Sequence, residues 1–332
     1  MQQKNRENFF FSILTAIATG LTISLVLVFL IKYSKNIFNS INVKKTNTAS
    51  INETKDYTQN EEDEDQTYIS KFSRAYIYSR EYEGEVIEKA QDSLPKSYRQ
   101  GEITAKAFGV IDMDRDITLL EKESGTHFPI ASITKLVTAV IAKKLINEHS
   151  LIEITDKVLA SNGSSAHFRL GEKFSYDELL YPLLMVSSND SAEALAQSYG
   201  RKEFIKEMNN WASNIGAYQT YFKDPSGLSP ENVSTVHDLV IIVKWILEHD
   251  PDIFDTTMVK SKQIRLHNWV NPTHFLNLTS YAGGKNGYLP EAGRTSVSLW
   301  RLGNNKRLYL SIILGSSNRD ADTLKVLDLS LK

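Results

Sequence analysis

The sequence has no cysteine at all, which removes disulfides, thiolate metal sites and cysteine nucleophiles together. It also lacks any basic excess: 38 Lys and Arg face 40 Asp and Glu, for a formal net charge of −2. Nothing in that balance attracts the phosphates of a nucleic acid, so no nucleic-acid partner is expected. The seven histidines show no HExxH or comparable spacing, so neither a metal site nor a metal cofactor is expected. No internal repeat is visible. What is present is an ordinary folded composition, 41% hydrophobic and 23% charged, over 332 residues. That length suits one large domain, or two small ones, plus an anchor.

A single long apolar run stands out. From Phe9 to Ile31 the chain reads FFFSILTAIATGLTISLVLVFLI without one charge. At 1.5 Å per residue it spans about 34 Å, enough to cross a hydrocarbon core of about 30 Å. A cleaved signal peptide has a shorter apolar region followed by small residues, whereas Lys32, Tyr33, Ser34 and Lys35 follow here. The expectation is therefore a short tail over 1–8, a retained transmembrane anchor over 9–31 and a polar linker over 32–95. The acidic run Glu61 to Asp65 lies in that linker and reads as a self-repelling spacer. Counting positive charge alone puts the C-terminal side in the cytoplasm, because Lys32, Lys35, Lys44 and Lys45 outnumber Lys4 and Arg6.

The domain expected over 96–332 begins with a strand at AKAFGVID, a turn at Asp112 to Arg115 and a returning strand at ITLLEKE. After Pro129, Ile133, Leu136, Val137, Val140, Ile141 and Leu145 mark one face of an amphipathic helix. Further helices are expected over Ser175–Met185, Ser191–Tyr199, Phe204–Ile215 and Ser234–Glu248, the last opening with a Ser/Thr cap ahead of Asp238. Late in the chain, TSVSLWRL and RLYLSIILG are joined by Gly303, Asn304 and Asn305, a hairpin signature. The pattern predicts an α+β domain, an antiparallel sheet packed against a helical cluster.

Three short motifs carry candidate chemistry. Ser132-Ile133-Thr134-Lys135 places a hydroxyl and an ammonium three residues apart, on one face at a helix start. A lysine whose pKa is lowered by burial can take the serine proton, and the helix N-terminus can stabilise an oxyanion. The plain alternative is a helix cap. A second Ser-x-x-Lys, Ser93 to Lys96, contains Pro95 and precedes no periodic helix, so it reads as linker. Ser187-Ser188-Asn189 can aim a hydroxyl and an amide into one cleft, or simply cap a helix. Gly283-Gly284-Lys285-Asn286-Gly287 suits an edge strand that a substrate backbone approaches closely, or an Asn-Gly turn.

Taken in order, Ser-x-x-Lys, Ser-x-Asn and Lys-x-Gly form the combination described for penicillin-binding proteins and class A β-lactamases. The chain resembles the D-alanyl-D-alanine carboxypeptidases among low-molecular-weight penicillin-binding proteins, through FPIASITKLVTA, SSAHFRLGEKFSYDELLYPLLMVSSNDSAEALA, FIKEMNNWASNIGAYQTYFKDPSGLSPENVSTVHDL and AGGKNGYLPEAGRTSVS. The resemblance runs from about Ala105 to Lys332 and implies a β-lactamase/penicillin-binding-protein-like fold. It further implies that Ser132 attacks the peptide carbonyl and Lys135 accepts its proton. Ser187 then relays a proton to the leaving D-alanine, and Asn189 holds the substrate amide. Lys285 supplies positive potential for the terminal carboxylate, while backbone N–H groups of Ser132 and Tyr288 form the oxyanion hole. Asn286 and Gly287 complete the substrate-binding strand. The implied partners are peptidoglycan peptides and β-lactam inhibitors, with no cofactor. DD-endopeptidase action, an inactive wall-binding protein and a β-lactamase using Glu231 are the alternatives. Two departures stand out: Asn286 replaces the family's usual Thr, and the chain ends soon after the last strand. Because such a substrate lies outside the membrane, the resemblance also places the domain outside, against the charge count.

Overall fold

The computed structural model describes residues 102–331 except Glu148, Asn162, Ser164 and Ser165. The tail, the anchor and the linker expected over 1–95 lie outside the described residues. Among the described residues, no helix is long and apolar enough to cross a membrane.

A five-stranded antiparallel sheet forms the backbone of the domain. Its strands are β1 (Ala107–Asp112), β2 (Ile117–Lys122), β3 (Tyr281–Leu289), β4 (Gly293–Leu302) and β5 (Arg307–Ser316), in the order β2-β1-β5-β4-β3. Side chains alternate across a strand, and β1 uses both faces. Ala107 and Ile111 join the larger core beneath the helices, whereas Phe108 and Val110 join a second core on the other face. Burial on both sides explains why β1 and β5 read as nearly continuous apolar runs.

The larger core is shared with helices α1 (Thr134–Leu145), α2 (Tyr176–Leu184), α3 (Asn189–Tyr199), α4 (Arg201–Asn214) and α5 (Val236–His249). α1 is the central one: every residue from Thr134 to Ala142 is buried, and only its C-terminal Lys143 and Lys144 are exposed. Its amphipathic pattern is therefore real at one end and lost in the middle. Caps fix the helix starts. Ser175 and Glu178 form a reciprocal capping box at α2, and Thr235 accepts from the Asp238 N–H at α5. The expected helices are all present, with starts displaced by one to three residues.

The structure decides one open alternative and adds two elements that the sequence did not announce. Of the two readings of Asn286-Gly287, edge strand and turn, the strand is present: both residues lie inside β3, which pairs with β4 through Gly287↔Thr295 and Lys285↔Val297. After the last strand a helix, α6 (Arg319–Ser330), packs Leu324 and Leu327 on the second core. It also buries Asp322, Thr323 and Asp328, a polar content that blurs any apolar stripe. Finally, a small hairpin of Ser261–Ile264 and His267–Val270 was not expected, since its strands alternate exposed and half-buried or buried residues too briefly to stand out.

Candidate active site

Ser132 sits just ahead of α1, in a 3-10 turn, Ala131–Ile133, with Ala131 at φ +49°. Two close approaches hold that turn. A Cβ on Gly227 (φ +81°) falls 2.0 Å from the Ala131 carbonyl oxygen, and one on Gly287 falls 2.9 Å from the Ser132 nitrogen. Neither position accepts a larger residue without moving the nucleophile, which is why glycine stands at both.

One turn further on, Lys135 is completely buried. Its Nζ lies 3.0 Å from Ser132 Oγ and donates to Asn189 Oδ1 at 2.8 Å and to the Ser226 carbonyl. Burial lowers its pKa to about 7, although the Asp224 carboxylate partly opposes the shift. Asp224 also organises the loop behind it, accepting from the N–H groups of Ser226, Gly227, Leu228 and Ser229 and from Asn232 Nδ2. Burial works against its charge, but those donors outweigh burial and hold its pKa below the usual carboxylate range.

The second motif divides its labour. Ser188 caps α3 by accepting from the Ser191 N–H, so the capping role falls to the middle residue. That leaves Ser187 (φ +60°) and Asn189 to face the cleft from either side of the cap. A left-handed serine costs of order 1–3 kcal/mol and is held only by its surroundings. Here the surroundings are Lys285, whose Nζ donates to Ser187 Oγ at 2.9 Å and to the Asn286 carbonyl at 2.9 Å. Lys285 is buried too, and burial, then Lys135 and Arg319, push its pKa well below the ordinary lysine value.

Ser132, Lys135, Ser187, Asn189, Lys285, Asn286 and Gly287 thus converge from a helix, a loop and an edge strand. The Tyr288 side chain points outward, 60% exposed beneath the Arg294 guanidinium at 5.3 Å. Only its backbone is available to the cleft.

Residues 94–318 match the family model described as D-alanyl-D-alanine carboxypeptidase, of the peptidase S11 type. The chain belongs to that family. A D-alanyl-D-alanine carboxypeptidase of Bacillus subtilis, DacF, is 28% identical over 68% of this chain and 62% of its own length. A D-alanyl-D-alanine endopeptidase of Haemophilus influenzae is 33% identical over 58% of this chain and 69% of its own. Penicillin-binding protein D2 of Listeria monocytogenes, solved in its cefotaxime-bound form, superposes with a TM-score of 0.62 at 23% identity. That superposition covers 70% of this chain and 99% of the other. The chain therefore spans about six to seven tenths of the lengths of these two curated relatives.

Within this carboxypeptidase family member, sequence reasoning missed two charged residues. Asp224 opens Asp-Pro-Ser-Gly, a turn signature whose carboxylate satisfies its own loop, and that signal was available. Arg319 begins the unexpected α6 and reaches Lys285 electrostatically from over 30 residues away in sequence, which no local pattern announces.

Proposed function

We propose that this chain is a serine DD-peptidase that removes the terminal D-alanine from peptidoglycan stem peptides through an acyl-enzyme. The observation that carries the reading is the Ser132–Lys135 pair, a hydroxyl 3.0 Å from a fully buried amine with pKa about 7. A neutral lysine has only two N–H bonds. With those given to Asn189 Oδ1 and the Ser226 carbonyl, its lone pair faces the Ser132 hydroxyl and can take the proton.

Ser132 Oγ then bonds to the carbonyl carbon of the penultimate D-alanine, and backbone N–H groups of Ser132 and Tyr288 receive the oxyanion. Ser187 accepts a hydrogen bond from Lys285, so it can pass its own proton to the nitrogen of the leaving D-alanine as the C–N bond breaks, and the proton that Lys135 took from Ser132 replaces it. Asn189 holds the substrate amide. Lys285, with Arg319 behind it, supplies the positive field for the terminal carboxylate. Water hydrolyses the ester and returns Ser132. The same acylation by a β-lactam ring leaves a persistent adduct, in keeping with the cefotaxime-bound Listeria relative. Cleavage of cross-links is the second reading, supported by the Haemophilus relative named an endopeptidase. Glu231 does not support a β-lactamase, since it is exposed and paired with Lys223 at 3.2 Å.

The test is covalent labelling by fluorescent penicillin. Ser132→Ala should abolish it with the fold intact, and Ser93→Ala should change nothing; labelling of the Ser132 variant removes the assignment. We also propose the anchor at 9–31, with the domain outside the membrane, because long domains translocate despite flanking charge. Protease added to intact spheroplasts should release a soluble domain; release only after lysis places the domain inside.

A further inference from the structure

One buried hydroxyl beside the base has no part in the steps above. Thr138 stands three residues beyond Lys135 on α1, as Lys135 stands three beyond Ser132, so the three side chains follow one face. Thr138 is completely buried. Its Oγ1 lies 2.5 Å from the Pro225 carbonyl oxygen and 3.4 Å from that of Thr134, and its single proton goes to the nearer. A threonine inside a helix often gives that proton to its own helix, four residues back. Here it goes to a loop 87 residues away, next to the residue whose carbonyl holds Lys135.

Two successive peptide planes of that loop are gripped in the same way. The Pro225–Ser226 plane donates its N–H to Asp224 Oδ1 at 2.8 Å, and its carbonyl accepts from Thr138. The Ser226–Gly227 plane donates its N–H to the same oxygen at 2.7 Å, and its carbonyl accepts from Lys135. Asp224 thus holds both planes by one edge, and α1 holds both by the other. A rigid peptide plane fixed at both edges cannot turn about the chain; one held only by its N–H swings about that bond and carries the next carbonyl with it. We infer that Thr138 is a positioning residue for the base: by fixing the Pro225 carbonyl, it keeps the Ser226 carbonyl on Lys135 Nζ. This role rests on the peptidase reading above, in which Lys135 takes the Ser132 proton. The need is greatest after that transfer. The ammonium then has three N–H groups to satisfy in a buried site, and Asn189 Oδ1, the Ser226 carbonyl and Ser132 Oγ are the acceptors around it. The titratable groups that face it are the Asp224 carboxylate, from the loop, and the Lys285 amine, from β3.

The test follows the rate at which fluorescent penicillin acylates the full chain, across pH, for the unmodified protein, Thr138→Val and Thr138→Ser. Valine keeps a similar shape and removes the proton; serine keeps the proton. Above the acid limb, Thr138→Val should acylate about tenfold more slowly, the effect of weakening one hydrogen bond to a charged group. Its acid limb should lie at lower pH, because an ammonium short of an acceptor gives up its proton more readily. The penicillin concentration for half-maximal rate should stay the same, and Thr138→Ser should restore both rate and limb. A Thr138→Val protein that melts earlier yet keeps the rate and limb of the unmodified protein reduces Thr138 to packing and overturns the inference. A Thr138→Ser protein as slow as the valine variant overturns it too. If the valine variant fails to fold, Thr138→Ala carries the same expectation. No acylation of the unmodified protein at Ser132 removes the peptidase reading itself, and this role with it.

Discussion

Two buried lysines sit on either side of one cleft, and their surroundings differ in kind. Lys135 has a carboxylate behind it and three acceptors around it: Ser132, Asn189 and Ser226. Lys285 has two acceptors and, in place of a carboxylate, two further basic groups, Lys135 and Arg319. Burial lowers both pKa values, Lys135 and Arg319 lower that of Lys285 further, and the Asp224 charge opposes the shift at Lys135. The end that makes and breaks the ester is thus fully paired. At the Lys285 end, Asn286 Oδ1 is buried with no hydrogen-bond partner among the described residues.

The largest effect should come from Lys135→Met, which removes the base while filling its volume. Activity measured as kcat/KM should fall by at least about a thousandfold. Stability should move the other way, with a pH signature. Above the ordinary lysine value of 10.5 both folded and unfolded chains hold a neutral Lys135, so its ionisation contributes nothing. As pH falls from 10.5 toward 7, the unfolded chain binds a proton that the folded one refuses, and the fold is progressively destabilised. Below about 7 that penalty is complete. Lys135→Met should therefore raise Tm most below pH 7 and least near pH 10; a uniform gain would mean that Lys135 is not the titrating group.

Next in size is Asp224→Asn, which tests what distinguishes the two lysines. The acid limb of kcat/KM should lie at about pH 7 in the unmodified protein and move to lower pH in the variant, because Lys135 loses its counter-charge. The rate should also fall by about ten- to a hundredfold, the value of one hydrogen-bonded charge. A lower rate with an unmoved limb would reduce Asp224 to a loop-former. The smallest effect belongs to the other end. Asn286→Thr should raise kcat/KM on N-acyl-D-Ala-D-Ala by about tenfold, since a hydroxyl can rotate toward the carboxylate. It should leave the acid limb where it is, because Asn286 does not touch Lys135.

The same contrast governs what could be read from sequence. Ser132 and Lys135 were legible because their relation is local: three residues at a helix start fix their geometry. Ser187 and Asn189 were legible as polar loop residues, but not the left-handed turn at Ser187, nor that Ser188 alone would do the capping. Asn286-Gly287 was legible only as strand or turn, because Asn-Gly is a turn signal that strand pairing with β4 overrides there. Arg319 was out of reach. Its position depends on α6, whose buried Asp322 is matched by Thr104 at 3.0 Å, a pairing across more than 200 residues.

The position of β5 has a consequence for how the domain comes into being. It lies between β1 and β4, so the β1–β2 hairpin and the β3–β4 hairpin are joined in the sheet through it, with Ala107 opposite Leu314. Closing a loop of about 200 residues is entropically costly and slow. Until β5 is inserted, the two hairpins of the sheet share no pairing. The contact that completes the sheet is thus the one with the longest separation in sequence, and the fold is committed by its most distant partners.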